Sequence, residues 1–310
     1  MSDVLRTTVA GLDFANPVLL ASGTAGYVRE LAGIVDLERI GGFVTKAVSP
    51  EPRHGNPAPR VWDFDGGMIN AVGLANPGLD GVRSYAMPWI AANVQRPRVL
   101  VNVVGRAIED YATVVEGLDA TPGFQGFELN VSCPNTKKGG LEFGADPDAL
   151  RALVERARAA TAKPLFVKLS PTLPDVVSTV RVAIDAGATG VSLFNTMPGL
   201  VVDIEQRRPV LGFGSGGVSG PAGLPVAVLA TWRVSQALPN VPIIGTGGVS
   251  SAEHALQLII AGASLVALGT ASMADPRSGE RIVSELERWC AAHGIARIES
   301  LRGTLQWPRT

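Results

Sequence analysis

Within Asn130-Val131-Ser132-Cys133-Pro134-Asn135 one thiol lies between two carboxamides. A carboxamide offers both donors and an acceptor, which suits a flat heterocycle carrying C=O and N–H groups. A thiol beside such a site can take up a proton once it reaches the thiolate state. The stretch just before it, Gly126–Leu129, alternates Phe127 and Leu129 against Glu128 and reads as a strand. Pro134 has no N–H and fits poorly inside a strand or helix, so the chain turns there. A lone Cys in a loop is also an ordinary buried structural residue. The weight therefore rests on what accompanies Cys133.

Several other groups of matching chemistry occur. Thr246-Gly247-Gly248-Val249-Ser250-Ser251 and Leu268-Gly269-Thr270-Ala271 are glycine turns after apolar runs. Glycine lets backbone N–H groups approach an anion, and a following helix N-terminus favours its charge. Lys46 and Lys168 each close an apolar run. A Lys pointing into a cavity needs an anionic ligand or an electron-rich ring edge, whereas at a plain strand end it is only a solvated cation. Met68–Pro77 adds a carboxamide at Asn70 and, at Gly73, room for a planar ligand, although the stretch also reads as a surface loop. Asn195-Thr196 adds one more polar pair. His54, His254 and His293 stand in no catalytic context and read as surface or helix residues, and Lys137-Lys138 as a solvated loop pair.

The elements that would position these residues alternate along the chain. Val4–Ala10 and Leu12–Phe14, split by Gly11, predict a short N-terminal β-hairpin. Eight apolar runs follow: Pro17–Leu20, Gly42–Thr45, Val99–Val101, Gly126–Leu129, Leu165–Val167, Gly190–Phe194, Pro242–Gly245 and Leu265–Leu268. Helical periodicity fills Ala149–Ala160, Val176–Ala186, Ala252–Ala261 and Gly279–Ala292, and Gly187 and Gly262 are C-terminal stops. This is the pattern of an α/β protein, a (β/α)8 barrel of the TIM type, with a doubly wound sheet as the alternative. In a barrel, chemistry gathers at the C-terminal ends of the strands. Those ends carry Ser22, Lys46, Asn102, Asn130, Lys168, Asn195, Gly247-Gly248 and Gly269-Thr270. Gly212–Gly220 is expected to belong to a long loop after the sixth strand.

At 310 residues the chain fits one barrel domain over 1–310. Apolar residues make up 46% and charged residues 18%, enough for a large core. A net charge of −1 supplies no footprint for nucleic acid or an anionic membrane. Two Cys exclude a disulfide framework and a four-thiolate cluster or metal site. With no signal pattern at Met1–Gly11 and no apolar run of about 20 residues, a soluble cytoplasmic protein is expected.

Nearly the whole chain resembles dihydroorotate dehydrogenase of class 1, an FMN enzyme of pyrimidine synthesis. The resemblance is carried by the motifs above in their order and spacing, together with Ala21–Thr24, Gly55-Asn56-Pro57, Lys168-Leu169-Ser170 and Gly216–Pro221. Cys133 is similar to class 1, since the membrane-linked class 2 carries Ser there, and no quinone-binding extension precedes the hairpin. Pro209–Pro221 looks like subclass 1B. The resemblance implies that Cys133 is the base. It implies FMN contacts at Ser22, Lys46, Asn102, Asn130, Lys168, Gly220, Gly247, Gly248, Gly269 and Thr270. Phe194 would stand beside the flavin where the family has an aliphatic residue. Lys46, Asn70, Gly73, Leu74, Asn130, Asn195 and Thr196 would hold the pyrimidine. Subclass 1B implies a partner subunit carrying FAD and a 2Fe–2S cluster, in a heterotetramer built on a homodimer, with NAD as final acceptor. Rival expectations are a dihydropyrimidine dehydrogenase-like reaction on uracil-type rings, a fumarate-linked subclass 1A homodimer, and a flavin- or phosphate-binding barrel without catalysis. Gly212, Gly214 and Gly217 form a Gly-x-Gly-x-x-Gly pattern, but Pro221 follows at once and no acidic residue lies ~20 positions on, so they read as loop glycines.

Overall fold

The computed structural model describes residues 3–132, 134–135 and 141–308. Eight parallel strands close into a barrel: β1 (Val18–Leu20), β2 (Gly42–Val44), β3 (Arg98–Val103), β4 (Gly126–Asn130), β5 (Leu165–Lys168), β6 (Gly190–Leu193), β7 (Ile243–Thr246) and β8 (Leu265–Leu268). Each strand pairs with its successor, and β8 returns to β1 through Val266↔Val18 and Leu268↔Leu20. Each expected run lies on one of these strands, with ends shifted by up to two residues.

Alternation along the strands divides the core in two. Outward residues such as Val18, Phe43, Val101, Phe127 and Val167 pack on the helices in one large cluster. Inward residues Leu19, Val44, Leu100, Phe166, Ile244 and Leu265 fill the barrel and meet Val9 and Phe14 from below. Those two come from the hairpin Thr7–Val9/Leu12–Phe14, which plugs the N-terminal end. The hairpin's first strand is shorter than expected, because Asp3–Leu5 winds into a 3-10 turn.

The longer helices are α1 (Met87–Asn93), α2 (Ile108–Asp119), α3 (Pro147–Arg158), α4 (Val176–Asp185), α5 (Leu224–Ala237), α6 (Ala252–Ala261) and α7 (Ser278–Ala292). Helix α3 shows why such segments fold locally. Asp146 accepts from Asp148 N and Ala149 N, Pro147 occupies the first turn, and Leu150, Leu153, Val154 and Ala157 form the buried face. Asp175 and Ser251 cap α4 and α6 in the same way, and Gly262 (φ 126°) ends α6. Among the described residues no helix is long and apolar enough to cross a membrane.

Two connections differ from a regular barrel. Between β1 and β2 there is no α-helix, only the 3-10 turns Arg29–Leu31 and Leu37–Arg39. Gly23, Gly26 and Gly33 all take positive φ there and interrupt any helix. The connection after β6 is not an open loop. Met197–Gly199 and Gly216–Ser219 pair with each other, and the second pairs with Gly67–Asn70, which pairs with Val61–Phe64. The result is a four-stranded antiparallel sheet joining the connection after β2 to the one after β6. Asn70 therefore ends a strand and does not lie in a surface loop.

Candidate active site

A cavity of about 610 Å³ opens at the C-terminal ends of the strands. Its walls include every expected site residue other than Cys133, from Ser22 and Lys46 round to Gly269 and Thr270. Cys133 lies outside the described residues.

One wall is built of carboxamides. Asn130, at the end of β4, accepts from Asn195 Nδ2 at 3.2 Å, and Asn195 Oδ1 accepts from the Thr196 amide at 2.9 Å. The Asn130 carbonyl is anchored by the Tyr111 hydroxyl at 2.9 Å. Asn70 donates from Nδ2 to the Gly217 carbonyl at 3.2 Å. A side chain at Gly217 would run into the Thr196 hydroxyl, and one at Gly216 into the Asn70 carbonyl. These glycines bring the strand after β6 against the two polar residues, a packing reason for Gly217 of the Gly-x-Gly-x-x-Gly pattern that needs no nucleotide. Leu74 takes φ 56° and packs on Ala47 and Val104, and a side chain at Gly73 would meet Asn56. Ser132 also lines the cavity, and its buried Oγ has no partner among the described residues.

The cations come from two strands. Lys168 is 7% exposed, and among the described residues its ammonium bonds only Ser22 Oγ, at 3.1 Å. An ammonium has three donors, so this one has capacity left for a ligand inside the cavity. The Lys46 backbone is held on both sides: its N–H donates to Gly26 O at 2.7 Å, and the Tyr27 hydroxyl donates to Ala47 O at 2.9 Å. Burial, with the Glu30 charge adding to it, keeps that Tyr27 hydroxyl protonated far above the usual range.

The opposite wall is glycine. Gly247 (φ 126°) and Gly248 (φ 78°) adopt backbone that L side chains rarely take, and a side chain at Gly248 would strike Leu224. Gly220 and Gly269 line the same cavity. Thr270 Oγ1 donates to Ser219 Oγ at 2.8 Å, tying the turn after β8 to the strand after β6. Phe194 is 8% exposed and borders the cavity between the two walls. His254 lies on α6, its Nδ1 3.1 Å from Ser250 Oγ, and takes no part in the polar wall.

Below the cavity lies a network that the sequence reading did not assign. Glu128 is 2% exposed and accepts from Asn102 Nδ2 at 2.7 Å and from Ser192 Oγ at 2.5 Å. Asn102 is also buried and lines the cavity, and its Oδ1 has no partner among the described residues. The parity of β4 held the signal, since Glu128 and Asn130 share the face opposite Phe127 and Leu129. Ser219 was also missed, for lack of any pattern in its glycine-rich strand.

These groups fit a flavin mononucleotide. Asn102 Oδ1, a buried acceptor with no donor among the described residues, a buried ammonium at Lys168 and a glycine wall together offer a ring acceptor, a cation and backbone suited to a phosphate.

Residues 4–289 match the family profile described as Dihydroorotate dehydrogenase. A relative in Pelobacter propionicus is 47% identical over 306 residues, 99% of this chain and all of its own length. Relatives in Geobacter sp. strain M21 (44% over 302 residues, 97% of this chain and 98% of theirs) and Trichlorobacter lovleyi (44% over 306, 99% and 100%) are similar along their length. All three are named dihydroorotate dehydrogenase B (NAD(+)), catalytic subunit. With its barrel, its carboxamide wall and a profile match along most of its length, the chain belongs to the dihydroorotate dehydrogenase family.

Proposed function

We propose that this chain is the FMN-dependent catalytic subunit that oxidises dihydroorotate to orotate in pyrimidine biosynthesis, working as one domain over residues 1–310 in the cytoplasm. The observation that carries the reading is the cavity itself: carboxamides and Lys46 on one wall, glycine turns on the other, and Lys168 with Asn102 Oδ1 between them.

Dihydroorotate must lose a proton from the ring CH₂ beside its C4 carbonyl and a hydride from the neighbouring carbon that bears the carboxylate. The C5–H electron pair then becomes the new C5=C6 bond. Cys133 takes the proton as general base. Asn70, Asn130 and Asn195 hold the ring's C=O and N–H groups, with Thr196 beside them, and Lys46 faces the carboxylate. Gly73 and Leu74 close over the ring. Bound FMN would supply the acceptor for the hydride. Ser22, Lys168 and Asn102 hold and orient the flavin ring beside Phe194, and Gly220, Gly247, Gly248, Gly269 and Thr270 receive its phosphate. Lys46 favours this substrate over an uncharged dihydropyrimidine, which has no carboxylate for it to meet.

The protein is expected to purify yellow. The released cofactor should run as FMN on chromatography; FAD, or no flavin after reconstitution, would sink the phosphate wall.

A second expectation concerns the close approach of Gly217. Gly217→Ala should push Thr196 aside and loosen the partner of Asn70, an overpacking strain worth about 1–3 kcal/mol. Orotate should bind about tenfold or more weaker while FMN content stays at the wild-type level. Unchanged orotate affinity by titration would remove Asn70 and Thr196 from the substrate side.

A further inference from the structure

Glu128 is the most deeply placed charged side chain below the cavity, and the roles above do not use it. Its two oxygens are both taken, one by Asn102 Nδ2 and one by Ser192 Oγ. The Asn102 backbone is fixed as well: its N–H donates to Thr45 Oγ1 at 3.3 Å, and its carbonyl accepts from Val48 N at 2.8 Å. With the NH₂ group committed to Glu128, the carbonyl end of the amide is the end left over. That end, Oδ1, is buried and has no partner among the described residues. The two ends of a carboxamide are the same size, so sterics cannot choose between them; the hydrogen-bond partner must.

Resting on the flavin reading above, we propose that Glu128 is a positioning residue: it locks the Asn102 amide with its carbonyl toward the cavity and so selects a ligand edge that donates. The oxidised isoalloxazine has one ring N–H, the imide at N3, and this is the group an acceptor there would hold. If the amide turned over, its NH₂ would oppose that N–H, donor against donor. Glutamine at 128 has nearly the shape of glutamate but can itself donate to Asn102 Oδ1. It lets either end of the Asn102 amide face it, so the amide is no longer held one way, while the packing stays in place.

The test uses full-length wild type and Glu128→Gln, stripped of cofactor and titrated with FMN and with N3-methyl-FMN, which lacks the imide donor. Affinities are read from flavin fluorescence. Wild type should prefer FMN by about tenfold or more, the effect of one buried hydrogen bond made or left unmade. Glu128→Gln should bind FMN about tenfold weaker, and its preference should fall below about threefold. Ser192→Ala, which leaves the Asn102–Glu128 bond intact, should keep the wild-type preference. Should Glu128→Gln fail to fold, Glu128→Leu removes the buried charge altogether and is read the same way. A purely structural Glu128 would lower thermal stability and leave the preference unchanged, and that result overturns the role. So does a wild type that binds both flavins equally. Wild type that binds neither flavin would instead bring down the flavin site itself.

Discussion

Cys133→Ala is expected to retain FMN and to oxidise dihydroorotate about 10²–10⁴-fold more slowly, the usual contribution of a positioned general base. The two halves of the result separate because the residues proposed to hold the flavin lie on other elements: Asn102 on β3, Lys168 on β5, Gly247-Gly248 and Gly269-Thr270 after β7 and β8, Ser22 after β1 and Gly220 before α5. Cys133 comes after β4 in the sequence. Removing one thiol leaves that wall intact and deletes only the proton acceptor. In the wild type the reaction should quicken as pH rises toward ~8.5, where an ordinary free thiol ionises, because the thiolate is the base. Glu142, in the short strand Leu141–Glu142 that pairs with Pro134–Asn135, has its carboxyl pushed up by burial, against a smaller opposite effect from its hydrogen bond to Ser170. The check is anaerobic mixing of enzyme with dihydroorotate while orotate formation and flavin absorbance are followed together. An alanine variant as fast as wild type would show that Cys133 is not the base.

The barrel was legible because parallel strands buried on both faces read as short apolar runs, and here they end in polar residues. Gly126–Asn130 displays both features, with Phe127 and Leu129 facing the helices and Asn130 reaching the cavity. Lys168 and Thr246 follow the same rule one residue beyond the expected strand ends. The four-stranded sheet after β2 and β6 was not legible. Val61 and Trp62 are exposed and show no buried alternation, and Gly216-Gly217 has no side chains to give a pattern. Its need for glycine comes from Asn70 and Thr196, which are distant in sequence. Glu128 was hidden for a different reason. A charged residue between Phe127 and Leu129 reads as the solvated face of a half-exposed strand, and only closure of the barrel turns that face inward. The missing first helix follows from three glycines whose positive φ no periodicity count detects.

The other large effect concerns where the electrons go. The isolated chain is expected to reduce artificial dyes with dihydroorotate and to leave NAD untouched, and co-expression with a partner subunit should restore NAD reduction. The chain has only Cys133 and Cys290, and an iron–sulfur cluster usually takes four thiolates. Cys290 is fully buried on α7, where desolvation pushes its thiol up and leaves it inert. A dinucleotide fingerprint requires a strand, a glycine turn and a helix in succession. Here Gly217 lies inside an antiparallel strand, Gly212 and Gly214 precede it in the same connection, and a side chain at Gly212 would meet the Ala58 carbonyl. The chain therefore has neither relay nor NAD site in these glycines, while its relatives carry NAD(+) and "catalytic subunit" together in their names. A second subunit bearing FAD and a 2Fe–2S cluster, bound to a homodimer of this chain, would complete the path as a heterotetramer. Efficient NAD reduction by the purified chain alone would rule that assembly out. Rapid turnover with fumarate would place the chain with the homodimeric enzymes of subclass 1A.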